Sequence, residues 1–195
     1  METTHRPIDS KTDLKIYGLF PNVSYFQFAA SIGEVALFSH WEQAHYAVSG
    51  ANQIETLRIP LTHDSKKKDP IFWEISYQHK WLREHQNAWR TAYGKSPFYE
   101  YYDYKIWDLL HQEQASFKSL QESAIQLLLP WLGLEELPVI DLDYEKSRQY
   151  FRSINNTPYL EYSQVFENKF GHRKDLSVLD LLFNIGPECA SYFRH

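Results

Sequence analysis

The sequence predicts an α/β fold in which a small mixed sheet, with an N-terminal strand-helix-strand unit, is followed by a mostly helical C-terminal half. Short apolar runs of strand length are concentrated between Leu14 and Leu61. From Pro70 onwards, apolar residues recur at spacings of three and four, which is typical of helices that bury one face. At 195 residues, of which 16% are aromatic, the chain is long enough to bury a substantial core as one domain.

The N-terminal unit begins with the apolar run "LKIYGLF", which is predicted to be a buried strand that Pro21 ends. The next segment carries Val23, Phe26 and Ala29 at helical spacing and ends at Gly33. A second strand-length run, "EVALFS", follows, and strand, helix and strand in this order predict a right-handed crossover between parallel strands. The runs "HYAVSG" and "IETLRIPL" are predicted to pair as a hairpin, because the turn residues "GAN" separate them.

The most regular segment runs from Pro70 to Tyr93 and is predicted to be one long helix. Asp69 is suited to cap it, Pro70 is favoured at a first helical position, and no Gly or further Pro interrupts it. Its aromatic residues recur every four positions and form a stripe that winds around one side of the helix. The stripe consists of Trp73, Tyr77, Trp81, His85 and Trp89.

The remaining sequence is predicted to contain three further helices. The first follows a turn at Ser96 and Pro97 in "SPFYEYYDYKIWDLLHQE", the second is "SFKSLQESAIQLLLPWLGL", which Pro130 and Gly133 end, and the last is "SVLDLLFNIG". The run "LPVIDLD" is either a brief strand or an extended entry into the last third. The structure of "TPYLEYSQVFENKFGH" stays open, because rings alternate there with polar residues.

Composition and charge exclude several classes of protein. A formal net charge of -5 and an isoelectric point near 6.0 give no overall positive field for nucleic acid, and the lysine run at residues 66–68 reads as a solvated loop. No apolar run reaches the roughly 20 residues of a membrane span, and a single cysteine cannot form an internal disulfide. We therefore expect a soluble cytoplasmic protein, with residues 14–195 as one domain after a disordered segment of residues 1–13.

The familiar nucleophile, nucleotide and metal motifs are missing from the sequence. It contains no G-x-S-x-G elbow, Walker loop or G-x-G-x-x-G loop. Cys189 follows Glu188 and has no neighbouring cation to activate it, so we interpret it as a structural thiol. No histidine pair has the spacing of a helical zinc site. His40, Glu42 and His45 would converge in an extended or looped segment, but the alternation of a strand would place His40 and His45 on opposite faces. We therefore predict neither a metal nor a cofactor.

One histidine and two stretches remain as candidates for a functional site. His85 would move protons near neutral pH if it lines a cavity, and otherwise it is a packed or surface histidine. The stretch "WRTAYGKSPFYEYYDY" concentrates rings beside Arg90 and Lys95, which suits stacking on a sugar or nucleotide and holding an anion, unless the rings simply close the core. In "LLFNIGPE", Asn184 either presents its amide to a ligand or caps the last helix.

Three stretches resemble the WbqC-like family, in particular its shorter forms from Bacteroidetes-type bacteria: "FPNVSYF", "WLREHQNAWRTAYGKSPFYEYY" and, most specifically, "LSVLDLLFNIGPE". The resemblance implies a place in gene clusters for O-antigen and other surface polysaccharides, where a glycine transferase that adds an amino acid to a sugar has been suggested. It carries over no established role for any residue. The positions that fall on family motifs are Trp81, His85, Tyr93, Pro97, Asp180, Asn184 and Glu188.

The chain also departs from the family pattern in its N-terminal part. Many members carry His-Gln-Pro before the Phe-Pro, where this chain has "KIYG", and many carry an Asn-Arg-Asn-Arg-type basic run, where it has "SGANQ". A histidine that moves protons or arginines that hold an anion would be missing at these positions. A divergent or inactive family member is therefore one alternative.

Taken with the resemblance, these residues predict a transferase that joins an acyl or aminoacyl group to an amine or hydroxyl of an activated sugar in surface polysaccharide biosynthesis. Its small-molecule partner would be a sugar or an amino-acid donor. His85 or His45 would act as the base, and Asn184 and Arg90 would hold the developing oxyanion. The candidates for substrate binding are Trp81, Arg90, Tyr93, Phe98, Tyr99 and Asp180.

The rival hypothesis is a non-catalytic module that uses the ring-rich stretch to bind a glycan or a protein. A catalytic site requires His85, Arg90 and Asn184 to converge on one pocket, whereas a binding module predicts a shallow aromatic patch with scattered polar groups. A homo-oligomer is compatible with both hypotheses.

Overall fold

The computed structural model of the chain describes residues 18–37, 44–78, 80–174 and 176–194. The predicted disordered segment of residues 1–13 therefore lies outside the described residues. Short 3-10 helices occupy Asp64–Lys67, Pro70–Phe72 and Gly186–Tyr192. The α-helices and strands, in chain order, are α1 (Val23–Ile32), β1 (Val35–Leu37), β2 (His45–Ser49), β3 (Ile54–Arg58), α2 (Trp81–Tyr93), α3 (Tyr99–His111), α4 (Phe117–Leu132), β4 (Val139–Asp141), α5 (Tyr144–Ile154), α6 (Glu167–Phe170) and α7 (Val178–Ile185).

The predicted α/β class, with small sheets and a helical C-terminal half, is confirmed. Among the described residues, the strands form two separate pairs. β1 runs parallel to β4, with Val35 opposite Val139 and Leu37 opposite Asp141, so that "LPVIDLD" supplies a brief strand. β2 runs antiparallel to β3, as the hairpin prediction requires.

The helix and second strand of the N-terminal unit are found where the sequence places them. α1 ends at Gly33, whose φ of 79° is in the left-handed region that glycine tolerates best. Of the predicted first strand, residues 14–17 lie outside the described residues, and Gly18 to Phe20 form buried bends. The parallel partner that the structure describes for β1 is β4, which lies about a hundred residues further along the chain.

The prediction of one continuous helix from Pro70 to Tyr93 is wrong in its first half, because α2 begins only at Trp81. Asp69 does cap a turn, accepting a hydrogen bond from the Ile71 backbone N–H at 3.2 Å, but this turn ends at Phe72.

The next residues of that segment are extended rather than helical. Ile75 forms an antiparallel bridge with Leu61, and the backbone N–H of Ser76 donates to the carbonyl oxygen of Pro60 at 2.8 Å. Buried Trp73 and Ile75 alternate with exposed Glu74, which is the period of a strand. Backbone pairing with residues 60–62 therefore outweighs the helical spacing of the rings.

The later helices agree closely with their predictions. α3 and α4 occupy the predicted segments, and Ser116 caps α4 by accepting the Ser119 backbone N–H at 3.1 Å. Gly133 ends α4 in the left-handed conformation, three residues after Pro130. α5 was not predicted, and α6 is a short helix within the segment whose structure stayed open. No helix in the described part of the chain combines the length and the apolar character that crossing a bilayer requires.

α7 is the most deeply buried helix of the C-terminal region. Every residue from Val178 to Asn184 is buried, and the helix packs against α1, α2, α3 and β2. Ser177 starts it by accepting the Leu179 backbone N–H at 3.2 Å. The polar residues of α7 therefore point into the protein interior, where each of them needs a partner.

Candidate functional site

α7 brings the two most distinctive sequence stretches into contact. The backbone N–H of Phe98 donates to the carbonyl oxygen of Phe183 at 3.0 Å, and the Ser96 hydroxyl donates to Oδ1 of Asn184 at 3.3 Å. The ring centroids of Tyr93 and Tyr99 lie 5.0 and 5.2 Å from that of Phe183. The middle and C-terminal motifs therefore share one interface, which is filled mainly by aromatic rings.

Asp180, in the first turn of α7, is the centre of a buried polar cluster. It is 1% exposed, and its Oδ2 accepts a hydrogen bond from the Tyr162 hydroxyl at 2.8 Å. Its Oδ1 has no hydrogen-bond partner among the described residues. One turn further along the helix, Nδ2 of Asn184 donates to the backbone carbonyl of Asp180 at 2.7 Å.

Ser49, at the end of β2, contacts the two remaining members of this cluster, Tyr93 and Arg173. Its backbone N–H donates to the Tyr93 hydroxyl at 3.1 Å, and its own hydroxyl accepts from Nη1 of Arg173 at 3.0 Å. The positive charge of Arg173 is close enough to lower the pKa of Asp180. We call this set the Asp180 cluster; it consists of Tyr93, Tyr162, Arg173, Asp180 and Asn184.

Burial controls the electrostatics of the cluster. Desolvation raises the pKa of Asp180 to about 6, although the hydrogen bond from Tyr162, the nearby Tyr93 hydroxyl and the charge of Arg173 oppose this rise. Burial and the nearby Asp180 charge also raise the pKa of both tyrosine hydroxyls, which therefore remain protonated donors at neutral pH. A carboxyl group with a pKa near the working pH and one oxygen free of hydrogen bonds has the proton affinity of a general base.

His85 lies outside this cluster and is satisfied on both ring nitrogens. Its Nδ1 is 3.0 Å from the Tyr46 hydroxyl, and its Nε2 is 3.2 Å from the carbonyl oxygen of Arg58. Because a carbonyl only accepts, Nε2 carries the proton, and Tyr46 donates to Nδ1 while accepting from Nε1 of Trp89 at 2.9 Å. Burial lowers the pKa of His85 to about 4, so the ring is neutral at pH 7. These contacts join α2 to the β2–β3 hairpin.

The other predicted site residues are distributed over several surfaces. Arg90 is exposed on α2, and its charge partly opposes the rise that burial causes in the pKa of Asp103 on α3. His45 is half-buried at the start of β2, opposite Arg58, and its proposed partners His40 and Glu42 lie outside the described residues.

The predicted aromatic residues divide in the same way. Trp81 is buried, and its Nε1 has no hydrogen-bond partner among the described residues. Phe98 is half-buried, with its ring against Gly186, and Tyr99 is buried against Phe183. Of the predicted site residues, the Asp180 cluster thus contains Tyr93, Asp180 and Asn184.

Most rings of the ring-rich stretch belong to the core. Trp89, Tyr93 and Tyr102 are each at most 2% exposed, so they offer no surface for stacking on a ligand. The large rings that this stretch leaves exposed are Tyr101 at 61% and Tyr104 at 53%, both on α3.

Sequence reasoning missed two members of the cluster, Tyr162 and Arg173. Both lie in or beside the segment whose structure stayed open, where alternating rings and polar residues were the available signal. Arg173 also precedes the C-terminal motif by only three residues. Neither position shows by itself that it reaches Asp180 or the end of β2.

The described residues contain no group of three or more His, Cys, Asp or Glu side chains that could hold a metal ion. Cys189 is buried, burial raises its pKa to about 12, and its Sγ donates to the carbonyl oxygen of Trp131 at 3.2 Å. These features describe a structural thiol.

A comparison with protein-family models matches residues 18–155, more than half of the chain, to the model described as the WbqC-like protein family. No curated protein and no solved structure matches the chain significantly. The matched range ends before Tyr162, Arg173 and α7, which supply most of the Asp180 cluster.

Proposed function

The chain belongs to the WbqC-like protein family, and on that premise we propose that it is an acyl or aminoacyl transferase acting on an activated sugar in surface polysaccharide biosynthesis. The observation that carries the proposal is Oδ1 of buried Asp180, which has no hydrogen-bond partner among the described residues and belongs to a carboxyl group whose pKa burial raises to about 6. We also propose a cytoplasmic location, which suits a chain whose single cysteine remains a thiol.

In the proposed reaction, Asp180 replaces His85 as the general base. Its Oδ1 accepts a proton from the attacking amine or hydroxyl while that atom forms a bond to the carbonyl carbon of the donor. The carbonyl oxygen gains negative charge, and the second N–H of Asn184 is suited to donate to it. When the carbonyl reforms, the bond to the leaving group breaks, and the leaving group takes the electron pair and the proton. Asn184 and Arg173, each 9% exposed, are the members of the cluster that a ligand would meet first.

The first test is a transfer assay with the purified protein. A panel of acyl and aminoacyl thioesters is combined with nucleotide-linked amino sugars, and products are detected by their mass increase. We expect Asp180→Asn to lower the transfer rate by at least about 100-fold, which is the usual contribution of a general base. A rate for Asp180→Asn equal to the wild-type rate, with an unchanged circular dichroism spectrum, would exclude this role.

The pH profile of transfer supplies a second readout of the base. Activity should fall below about pH 6, as Asp180 becomes protonated. Because the hydrogen bond from Tyr162 lowers the pKa of Asp180, Tyr162→Phe should move this fall to higher pH. Tyr150→Phe is the matched control, since its hydroxyl donates to the carbonyl oxygen of Glu34, outside the cluster. An unshifted profile for Tyr162→Phe would contradict the assignment.

A non-catalytic glycan-binding module is the second candidate function. The observation in its favour is the exposed pair Tyr101 and Tyr104, which are three residues apart on one face of α3. This function predicts that Tyr101→Ala with Tyr104→Ala abolishes binding to a surface polysaccharide, whereas Asp180→Asn leaves binding intact. The transferase proposal predicts measurable product with the tyrosine double variant.

A further inference from the structure

Arg173 is a buried cation that forms no ion pair with the residues that the structure describes. The residue is 9% exposed, and no carboxylate among the described residues forms an ion pair with it. The charge of Arg173 lowers the pKa of Asp180, but the two side chains do not form an ion pair. Buried charges in folded proteins are normally paired, since removing an ion from water is costly. An unpaired guanidinium at this depth therefore suggests a place for a bound anion.

The side chain is held in place before any ligand arrives. Nη1 donates to the Ser49 hydroxyl at 3.0 Å and to the carbonyl oxygen of Gly50 at 2.6 Å. The guanidinium carbon lies 4.1 Å from the centroid of the Phe170 ring, which is within the range of a cation–π contact. A side chain fixed in this way loses little freedom when it binds a ligand.

The backbone of Arg173 is fixed as well. Gln164 accepts the Arg173 backbone N–H with its Oε1 and donates to the Arg173 carbonyl oxygen with its Nε2, both at 2.9 Å. The Tyr159 hydroxyl donates to the same carbonyl oxygen at 3.1 Å. Residues 159–164 therefore position the backbone of this arginine and the β2–β3 turn positions its side chain, although it makes no ion pair within the described part of the chain.

The edge of the guanidinium formed by Nε and Nη2 makes no hydrogen bond to the described residues. This edge carries two parallel N–H groups, which match two oxygens of a carboxylate or phosphate. Lys169 supplies a second cation: its Nζ lies 4.6 Å from the centroid of the same Phe170 ring and donates to the carbonyl oxygen of Ala51 at 3.4 Å. Both cations thus contact consecutive residues of the β2–β3 turn.

Two acidic side chains lie near this turn. Oε2 of Glu167 accepts the Gln164 backbone N–H at 3.3 Å, and Glu55 packs beside Gly50. Neither forms an ion pair with Arg173 or Lys169.

We propose that Arg173 and Lys169 form an anion-binding subsite at the β2–β3 turn, which holds a phosphate or carboxylate group of a ligand. The link of this subsite to transfer rests on the proposed function, in which the anion would belong to the donor or to the activated sugar. Anion binding itself requires no transfer.

The test measures binding of simple anions to the whole protein in the absence of any donor or sugar. Inorganic pyrophosphate represents the phosphate source and acetate the carboxylate source, and each is titrated while the side-chain Nε–H signals of arginine are followed by NMR. We expect saturable binding of at least one of them, with the Arg173 Nε–H signal shifting. Binding of pyrophosphate alone or of acetate alone supports the subsite and identifies the class of anion.

Substitutions give the second part of the test. Arg173→Lys keeps the charge but loses the two-pronged edge, so affinity should fall at least about tenfold, as expected when a hydrogen bond to a charged group is lost. Lys169→Gln changes an exposed residue without touching the core and should weaken binding severalfold. Lys174→Gln is the matched control, because it also removes one positive charge and lies next to Arg173 in the sequence. The Nζ atom of Lys174 lies 5.3 Å from the Tyr159 ring centroid, outside the proposed subsite, so this variant should leave affinity unchanged.

Three results would overturn the proposal: no saturable binding of either anion to the wild type, wild-type affinity in both Arg173→Lys and Lys169→Gln, or equal weakening by Lys174→Gln. If Arg173→Lys does not fold, the wild-type titration and Lys169→Gln decide the question. A failed transfer assay would leave these results intact, so the two proposals can fail separately.

Discussion

At the scale of single residues, His85 and Asp180 make opposite contributions to stability as pH changes. Burial lowers the pKa of His85 to about 4, so its contribution is complete above its ordinary value near 6.5 and is lost as pH falls towards 4. Burial raises the pKa of Asp180 to about 6, so its contribution is complete below its ordinary value near 4 and is lost as pH rises through 6. Between pH 4 and 6 the two effects partly cancel.

Single substitutions should reveal how much His85 and Asp180 each contribute to the pH dependence of the unfolding free energy. Relative to wild type, Asp180→Asn should lose about 3 kcal/mol more unfolding free energy between pH 7 and pH 4, because the stabilising protonation of Asp180 is absent. His85→Gln should lose about 3 kcal/mol less over the same interval, since Gln takes up no proton. Urea denaturation at half-unit steps of pH measures both differences. Curves that run parallel to wild type would show that these residues do not titrate as described.

The identity of the site residues was only partly predictable from the sequence. The motif resemblance pointed to Tyr93, Asp180 and Asn184, which do meet. The role of His85 could not be predicted from the sequence. The Tyr46 hydroxyl and the Arg58 carbonyl, which form hydrogen bonds with its two ring nitrogens, belong to a hairpin that is remote in sequence. Arg173 was missed for the same reason, since its contact with Ser49 joins segments more than a hundred residues apart.

At the scale of elements, the end of α7 depends on a glycine. Gly186 has a φ of 63°, in the region that favours glycine, and a Cβ at this position would lie 2.4 Å from Cγ of Phe98. Close approach of the two family motifs therefore requires both the backbone conformation and the missing side chain.

Gly186→Ala should destabilise the protein by about 2 to 5 kcal/mol, the sum of backbone strain and overpacking against the Phe98 ring. Gly171→Ala is the matched control, because Gly171 has a φ of 68° and nothing within 4 Å of an added Cβ. It should cost only the backbone term of about 1 to 3 kcal/mol. Thermal unfolding of both variants gives the comparison, and equal losses would indicate that the Phe98 contact does not limit the packing.

Helix prediction succeeded where local signals agreed and failed where distant pairing intervened. The serine before α4 and the glycine after it mark its ends in the sequence, and the structure uses both. The segment from Trp73 to Ser76 carries an equally good helical spacing of rings, but its backbone groups bond to residues 60–62 instead. The sequence does not show which segment pairs with Trp73 to Ser76. Without that partner, the helical spacing of the rings was a stronger signal than the alternation of apolar and polar residues that is typical of a strand.

At the scale of the whole molecule, the core continues beyond the range that matches the family model. That range ends at residue 155, whereas the fully buried Leu182 and Phe183 belong to α7. We propose that residues 18–194 unfold as one cooperative unit, because α7 packs against helices and a strand from the matched range.

This unit can be tested through one buried side chain of α7. Leu182→Ala should lower the unfolding free energy by about 2 to 5 kcal/mol, as is usual for a buried leucine. Tryptophan fluorescence and far-UV circular dichroism should report the same transition midpoint in this variant. Ile54→Ala, at a position 41% exposed on β3, should cost no more than about 0.5 kcal/mol. Two separate transitions would instead divide the chain into independent units.

The pairing of β1 with β4 also affects how the protein is made. During synthesis at about 5 to 20 residues per second, β1 leaves the ribosome several seconds before the strand that pairs with it. Throughout that interval the backbone groups of residues 35–37 have no β4 to bond with, and the nascent chain is exposed to aggregation. We therefore expect the β1–β4 pair to form only after residues 139–141 have been synthesised, as a late step of folding.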